Sequence, residues 1–190
     1  MTALLLSPRQ LNRATLARQL LLERSSLGPV AAVEHLVGFR AQTPRSWYTG
    51  LWSRLSDFDP AGFGAMLESR EVVRIALMRS TIHIVSAQDA LLLRPVVQAA
   101  TDRARLAYGA RWEGLDLDEV AAAARVLVER NPLGFAQLGA LLQEKWPDHD
   151  VQALGQAARM KLAHVQTPPR GVWGKSGLAR HTTIESWLGG

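Results

Sequence analysis

Arg40 and Gln42 are the two residues whose type and spacing point most directly to chemistry. They flank Ala41, and in a locally extended segment residues two apart send their side chains to one side. Arg40 brings a guanidinium, which only donates hydrogen bonds and suits a phosphate or a base. Gln42 reads either as a residue with a chemical role or as a loop or capping residue without one. Just beyond stand Arg45 and Arg54 with three aromatics, Trp47, Tyr48 and Trp52, that could stack on DNA, although at helical spacing most of them belong to a core.

The elements that must present this segment are legible on both sides of it. Upstream, Ser7 and Pro8 open a helix over 8–22 with Leu11, Ala14, Ala17 and Leu21 on one face. Gly28-Pro29 opens a second, with Val30, Val33, Leu36 and Val37 as its buried stripe and Gly38 as its stop. Thr43-Pro44 then predicts a helix running to about Leu55, capped by the threonine hydroxyl, with Trp47, Leu51 and Leu55 inward and Arg45 and Arg54 off the stripe. Asp59-Pro60 starts a short helix with Phe63, Met66 and Leu67 inward. The period then changes from 3.6 to 2: Val73, Ile75 and Leu77 alternate with Arg74 and Ala76, and 81–85 alternates again after Arg79-Ser80. Four helices closed by a β-hairpin with arginines at its base and tip read as a winged helix.

The pattern then repeats. Ser86 and Asp89 form a capping box for a helix that Pro95 kinks on its way to about residue 107, and 108–116 reads as a linker. Helices are predicted over 118–130, 135–146 and 150–161, followed by a hairpin whose strands are 162–166 and 172–174 around the turn Thr167-Pro168-Pro169-Arg170-Gly171. The expected fold class is therefore mainly α with small β-hairpins (α+β), built as tandem winged helix-turn-helix units. The expected domains are 1–112, the first unit with its following helix; 113–181, the second unit; and 182–190, the start of a further segment. Thr183 and Glu185 open a helix that Gly189-Gly190 cuts off, so the chain is expected to be a fragment of a longer protein.

Composition sets the outer bounds. The chain has 190 residues, 47% hydrophobic and 21% charged, and can bury a sizeable core. It contains no cysteine, which excludes disulfides and thiolate metal sites, and its five histidines lack paired spacing, so neither a metal nor another cofactor is expected. No long apolar run or basic leader is present, and we expect a cytoplasmic monomer with no membrane association. The net charge of +5 is carried entirely by residues 1–114, which hold 14 arginines, no lysine and 9 acids. An arginine-only excess suits bidentate phosphate contacts, though it also follows from the base composition of a source genome.

The runs 37–45, 50–55 and 73–85, with the later Trp173-Gly174-Lys175-Ser176-Gly177 and Trp187-Leu188-Gly189, resemble the AlkZ/YcaQ-like winged-helix family of bacterial DNA glycosylases over nearly the whole chain. The resemblance implies tandem winged helices around double-stranded DNA and excision of alkylated or crosslinked purines by N-glycosidic hydrolysis. It also implies a longer protein, with a third winged helix and a β-rich region after the part seen here. The family's Gln, apolar or small residue, Gln or Asp motif falls on Arg40-Ala41-Gln42. Gln42 fits as a residue that positions water. Arg40 departs, because a donor-only group cannot hold water as an acceptor and adds positive charge beside a developing oxocarbenium.

Candidate DNA-binding residues are Arg45, Arg54, Arg74, Arg79, His83, Gln152, Gln156 and Arg159, with Gln42 and Arg40 as the catalytic pair. Arg74 and Arg79 are expected on a solvated wing, and Gln152, Gln156 and Arg159 on one side of a helix that either meets a groove or faces solvent. Three functions stay open: a DNA glycosylase, a non-catalytic DNA-binding regulator or damage sensor, and a protein-interaction winged helix that never touches DNA.

Overall fold

The computed structural model describes residues 5–43 and 45–189, with backbone alone at 104–108. Ser7 and Gln10 close a reciprocal capping box at the start of α1 (Pro8–Arg18), which satisfies two N-terminal donors. This helix ends four residues before the expected limit and buries nothing, so the predicted face of Leu11, Ala14, Ala17 and Leu21 stays largely in solvent. After α2 (Pro29–His35) the chain is stopped by Gly38, whose φ of 93° lies in the left-handed region and whose N–H bonds the Val33 carbonyl. Ala32 and Val33 are buried, whereas Val37 is turned outward by the stop itself and not, as expected, inward.

The chain continues through β1 (Phe39–Arg40), α3 (Ser46–Trp52), α4 (Pro60–Glu68), β2 (Val72–Ala76) and β3 (Ile82–Ser86), then α5 (Ala87–Ala104) with Pro95 inside it. Residues Arg105–Trp112 coil on as 3-10 turns. The expected linker is thus docked: Trp112 is buried and its Nε1 donates to the Ala153 carbonyl at 2.9 Å. Three further helices follow, α6 (Leu117–Arg130), α7 (Phe135–Gln143) and α8 (Val151–Lys161), with Asp116 capping α6 and Asp150 capping α8. Helices α7 and α8 approach so closely that a Cβ on Gly139 would overlap the Val151 carbonyl and one on Gly155 would lie 2.6 Å from the Phe135 carbonyl oxygen. Last come β4 (His164–Gln166), β5 (His181–Thr183) and α9 (Ile184–Leu188), capped by Thr183.

The strands form one antiparallel sheet in the order β1-β3-β2-β4-β5. Strand β4 pairs with β2, opposing Arg74 to Gln166 and Ile75 to Val165. The return strand of the second hairpin is β5, not the expected 172–174. Val172 instead buries itself in the core of the first half and Trp173 packs 5.0 Å from the ring of Tyr48, so the segment after Pro169 crosses the sheet before it turns back.

Both faces of the sheet are covered, which is why alternation on β2 does not separate core from solvent. Val72 and Ile84 face a core with Trp47, Leu51 and Phe63, while Val73, Ile75 and Val85 face one with Ala90 and Ile184. A third core lies among α6, α7 and α8 around Leu138, Leu142 and Leu154. Against the sheet's far end His164 and His181 are buried. Burial and neighbouring positive groups pull them down from 6.5 to about 3 and about 4 respectively. The unfolded chain takes up protons below 6.5 that the folded chain refuses, so their contribution is intact above that value and is lost as pH falls toward 4. The urea midpoint should therefore fall from neutral pH to about pH 4, and His181→Leu should flatten that decline; a midpoint slope equal in both proteins would show that His181 takes up its proton alike in the folded and unfolded chain.

Candidate active site and nucleic-acid interface

The Arg40-Ala41-Gln42 segment sits at the β1 edge of the sheet. Arg40 opposes His83 across the ladder, the Ala41 N–H bonds the Ile82 carbonyl at 2.8 Å, and the Ile82 N–H donates to Gln42 Oε1 at 3.0 Å. The Gln42 side chain thus replaces a backbone carbonyl in the next rung of the ladder. Because Ile82 N is a donor, the amide oxygen must face it, leaving Nε2 outward and one Oε1 lone pair unused. The extended segment ends at Arg40, and Gln42 lies in a bend, so the two side chains are not simply parallel.

The bend has a cause beneath it. Arg74, only 2% exposed, donates from Nη2 to the Ala41 carbonyl at 2.9 Å and from Nη1 to Gln166 Oε1, with its guanidinium 4.6 Å over the ring of Trp47. Burial, with the nearby Arg170 charge, lowers its pKa to about 10, still far above neutrality. The expected wing arginine is therefore an interior one, held at mid-strand where the second half of the chain closes over it. Arg79, by contrast, is exposed at the hairpin tip in a left-handed turn (φ 54°).

His83, 7% exposed, places Nδ1 2.9 Å from the Thr81 carbonyl, so that nitrogen carries the proton and Nε2 is left as an acceptor. Burial first, then the Arg40 and Arg79 charges, lower its pKa, and the ring is neutral at pH 7. Arg40, Gln42, Arg79 and His83 are thereby brought together around the start of β3. Arg45 is not among them: it lines an open groove of about 320 Å³ with Arg170, Gly171, Lys175 and Ser176. Lys175 is paired with Glu68 at 2.6 Å, and Arg170 donates to the Gly177 carbonyl at 3.1 Å.

Helix α3 starts at Ser46, not at Thr43. Its cap residue is Arg45, at φ 73° and without a side-chain cap, and Thr43 contributes its carbonyl, which accepts from Ser46 Oγ at 2.9 Å. Pro44 lies outside the described residues. Trp47 and Tyr48 are core, the latter donating from its hydroxyl to the Gly171 carbonyl at 2.9 Å, while Trp52 is exposed beneath the Arg24 guanidinium. Arg54 is engaged in holding the α1–α2 corner: it donates to the Gln19 and Gly50 carbonyls and lies 5.0 Å over Phe39. On α8, Gln152 is exposed and accepts from Arg111, Gln156 is half-buried, and Arg159 turns inward over Phe135. The fold thus gathers the motif, Arg79 and His83, and leaves Arg54 and the α8 residues apart. Arg170 and Lys175 were not singled out from sequence as contacts; the run Trp173 to Gly177 was the available signal.

A sequence profile of the family described as DNA glycosylase AlkZ-like matches residues 33–190. The chain belongs to the AlkZ-like DNA glycosylase family. The matched stretch begins inside α2 and includes Arg40-Ala41-Gln42. Among solved structures the chain is similar to Streptomyces sahachiroi DNA glycosylase AlkZ, at 17% identity and a TM-score of 0.71 over 98% of this chain and 52% of that one. This chain spans about half the length of that protein. No curated protein matches.

Position 50 supplies a test of how the motif edge is seated. A Cβ there would overlap the Phe39 ring, with Cε1 at 2.6 Å, and Phe39 is the residue next to Arg40. Gly50→Ala should lower stability by about 1–3 kcal/mol through overpacking and perturb the amide signals of Arg40 and His83; a denaturation midpoint and spectrum unchanged from wild type would show the edge is not set by this contact.

Proposed function

We infer that this chain binds double-stranded DNA along the β1–β3 edge and the groove beside Arg45, and removes alkylated or crosslinked purines by hydrolysing the N-glycosidic bond. The observation that carries the reading is the seating of Gln42: its amide is fixed by Ile82 at a solvent-facing sheet edge within the stretch that the family profile matches, with one Oε1 lone pair left to orient a water. Base extrusion would bring the sugar carbon to that edge. The similar Streptomyces protein is, by name, a DNA glycosylase too.

In this reading Arg40 and Arg79 hold phosphates, as Arg45 does from the neighbouring groove. A bound phosphate offsets the charge that Arg40 would otherwise set against the oxocarbenium. The two helical halves act as tandem winged helices on the duplex, and the protein works as a cytoplasmic monomer without metal. A second reading, DNA binding without chemistry, is favoured by the hydrogen bond that already occupies Gln42 and by the absence of any acceptor on Arg40.

Release of 7-methylguanine from duplex DNA separates the two. Gln42→Ala should reduce release by about 10²-fold or more, the scale of a positioned acid–base group, and Arg40→Gln should raise it. No release from wild type, with duplex binding that weakens steeply as salt rises, would establish the non-catalytic reading; no binding at all would refute both.

A further inference from the structure

A small, partly open cavity of about 40 Å³ lies between the first-half hairpin and the second-half helices. It is bounded by Ser80 at the hairpin tip, Arg94 and Thr101 on α5, Arg159 on α8, and His164 and His181 on β4 and β5. One water needs roughly 10–15 Å³ of such space, so this one has room for a small group of heavy atoms.

Most of its polar lining makes no hydrogen bond within the protein. Arg94 is 7% exposed and makes no hydrogen bond or ion pair among the described residues; Asp102 and Glu185 act on it only from beyond ion-pair distance. Both ring nitrogens of His164 and Nδ1 of His181 are buried without a hydrogen-bond partner, the Leu162 backbone lying near His164 but out of bonding geometry. Arg159 meets Phe135 at 5.7 Å through its guanidinium and has no acceptor among the described residues. Among those residues no carboxylate lines the cavity. A largely buried guanidinium that makes no direct ion pair favours an anion beside it, and neutral imidazoles still offer one N–H each. Thr101 Oγ1 donates to the Val97 carbonyl at 3.3 Å, but two guanidiniums, the His164 ring and the Ser80 hydroxyl face one small space that offers them no acceptor.

We propose that this cavity binds a tetrahedral oxyanion of the phosphate class, held by Arg94 and Arg159 with His164, His181 and Ser80 completing its shell. The site joins α5 of the first half to α8 and the β4–β5 hairpin of the second, so its ligand ties the two halves together. Its volume admits a free phosphate or the terminal phosphoryl group of a DNA end, and excludes an internal phosphodiester flanked by two sugars.

Thermal unfolding at fixed ionic strength, sodium phosphate replacing sodium chloride, tests this directly. Wild type should gain about 3–6 °C in Tm at ten times the dissociation constant, with shifts in the histidine ring ¹⁵N resonances. Arg94→Met should lose both responses while its own Tm without phosphate is unchanged or higher, because the variant removes a largely buried charge that makes no direct ion pair. Arg159→Gln, a milder change, should weaken the response at least tenfold. Binding of a nicked duplex ending in a 5′-phosphate more tightly than its 5′-hydroxyl counterpart, lost in Arg94→Met, would assign the site to DNA ends; equal binding of the two would assign it to the free anion. The proposal is overturned if phosphate and chloride give the same Tm, or if Arg94→Met keeps the wild-type phosphate response.

Discussion

A buried guanidinium with no carboxylate beside it organises this molecule. Arg74 reaches three separate parts of the chain: the carbonyl inside the Arg40-Ala41-Gln42 segment, the amide of Gln166 on β4, and the face of Trp47 on α3. Its charge is stabilised by two oxygen dipoles and a π system instead of an ion pair, each hydrogen bond to such a charged group contributing about 1.5–3 kcal/mol. Removing it would leave the Ala41 carbonyl without its donor beneath the motif.

The same constraint explains the path of the second half. For β4 to lie on β2 and place Gln166 opposite Arg74, the chain after it must cross the sheet, and Gly171 at φ 92° passes over both Arg74 and Trp47. The Tyr48 hydroxyl then closes on the Gly171 carbonyl and Trp173 on the Tyr48 ring. Tyr48 and Gly171, 123 positions apart in sequence, are thereby tied together, and the groove beside Arg45 takes its other wall from residues 170–177.

Most helices were readable because capping and apolar spacing are local: Ser7, Gly38, Asp59 and Asp150 act where their residue types place them, whereas the start of α3 moved from Thr43 to Ser46. The hairpin β2–β3 was readable for the same reason. What was not readable depended on distant partners. Alternation on β2 suggested that Arg74 faced water, but a sheet covered on both faces has no water side. Val172 and Trp173 carried strand-like residues, yet the aromatic cluster around Tyr48 claimed them, and the strand fell to His181–Thr183. Gln42 was visible as a candidate, while its bond to Ile82 and the neutral state of His83 emerge only from the folded edge.

Arg74 holding the motif in place across the seam is the point on which everything else rests. Hydrogen exchange of the Ala41 and Ile82 amides in wild type and Arg74→Met measures it most directly, with amides of α7 and α8 as an internal reference. Both motif-edge amides should lose protection by about tenfold or more in the variant, the loss of a single charge-assisted hydrogen bond, while α7 and α8 keep theirs. Unchanged protection at Ala41 and Ile82 would contradict this and leave the edge to β3 pairing alone.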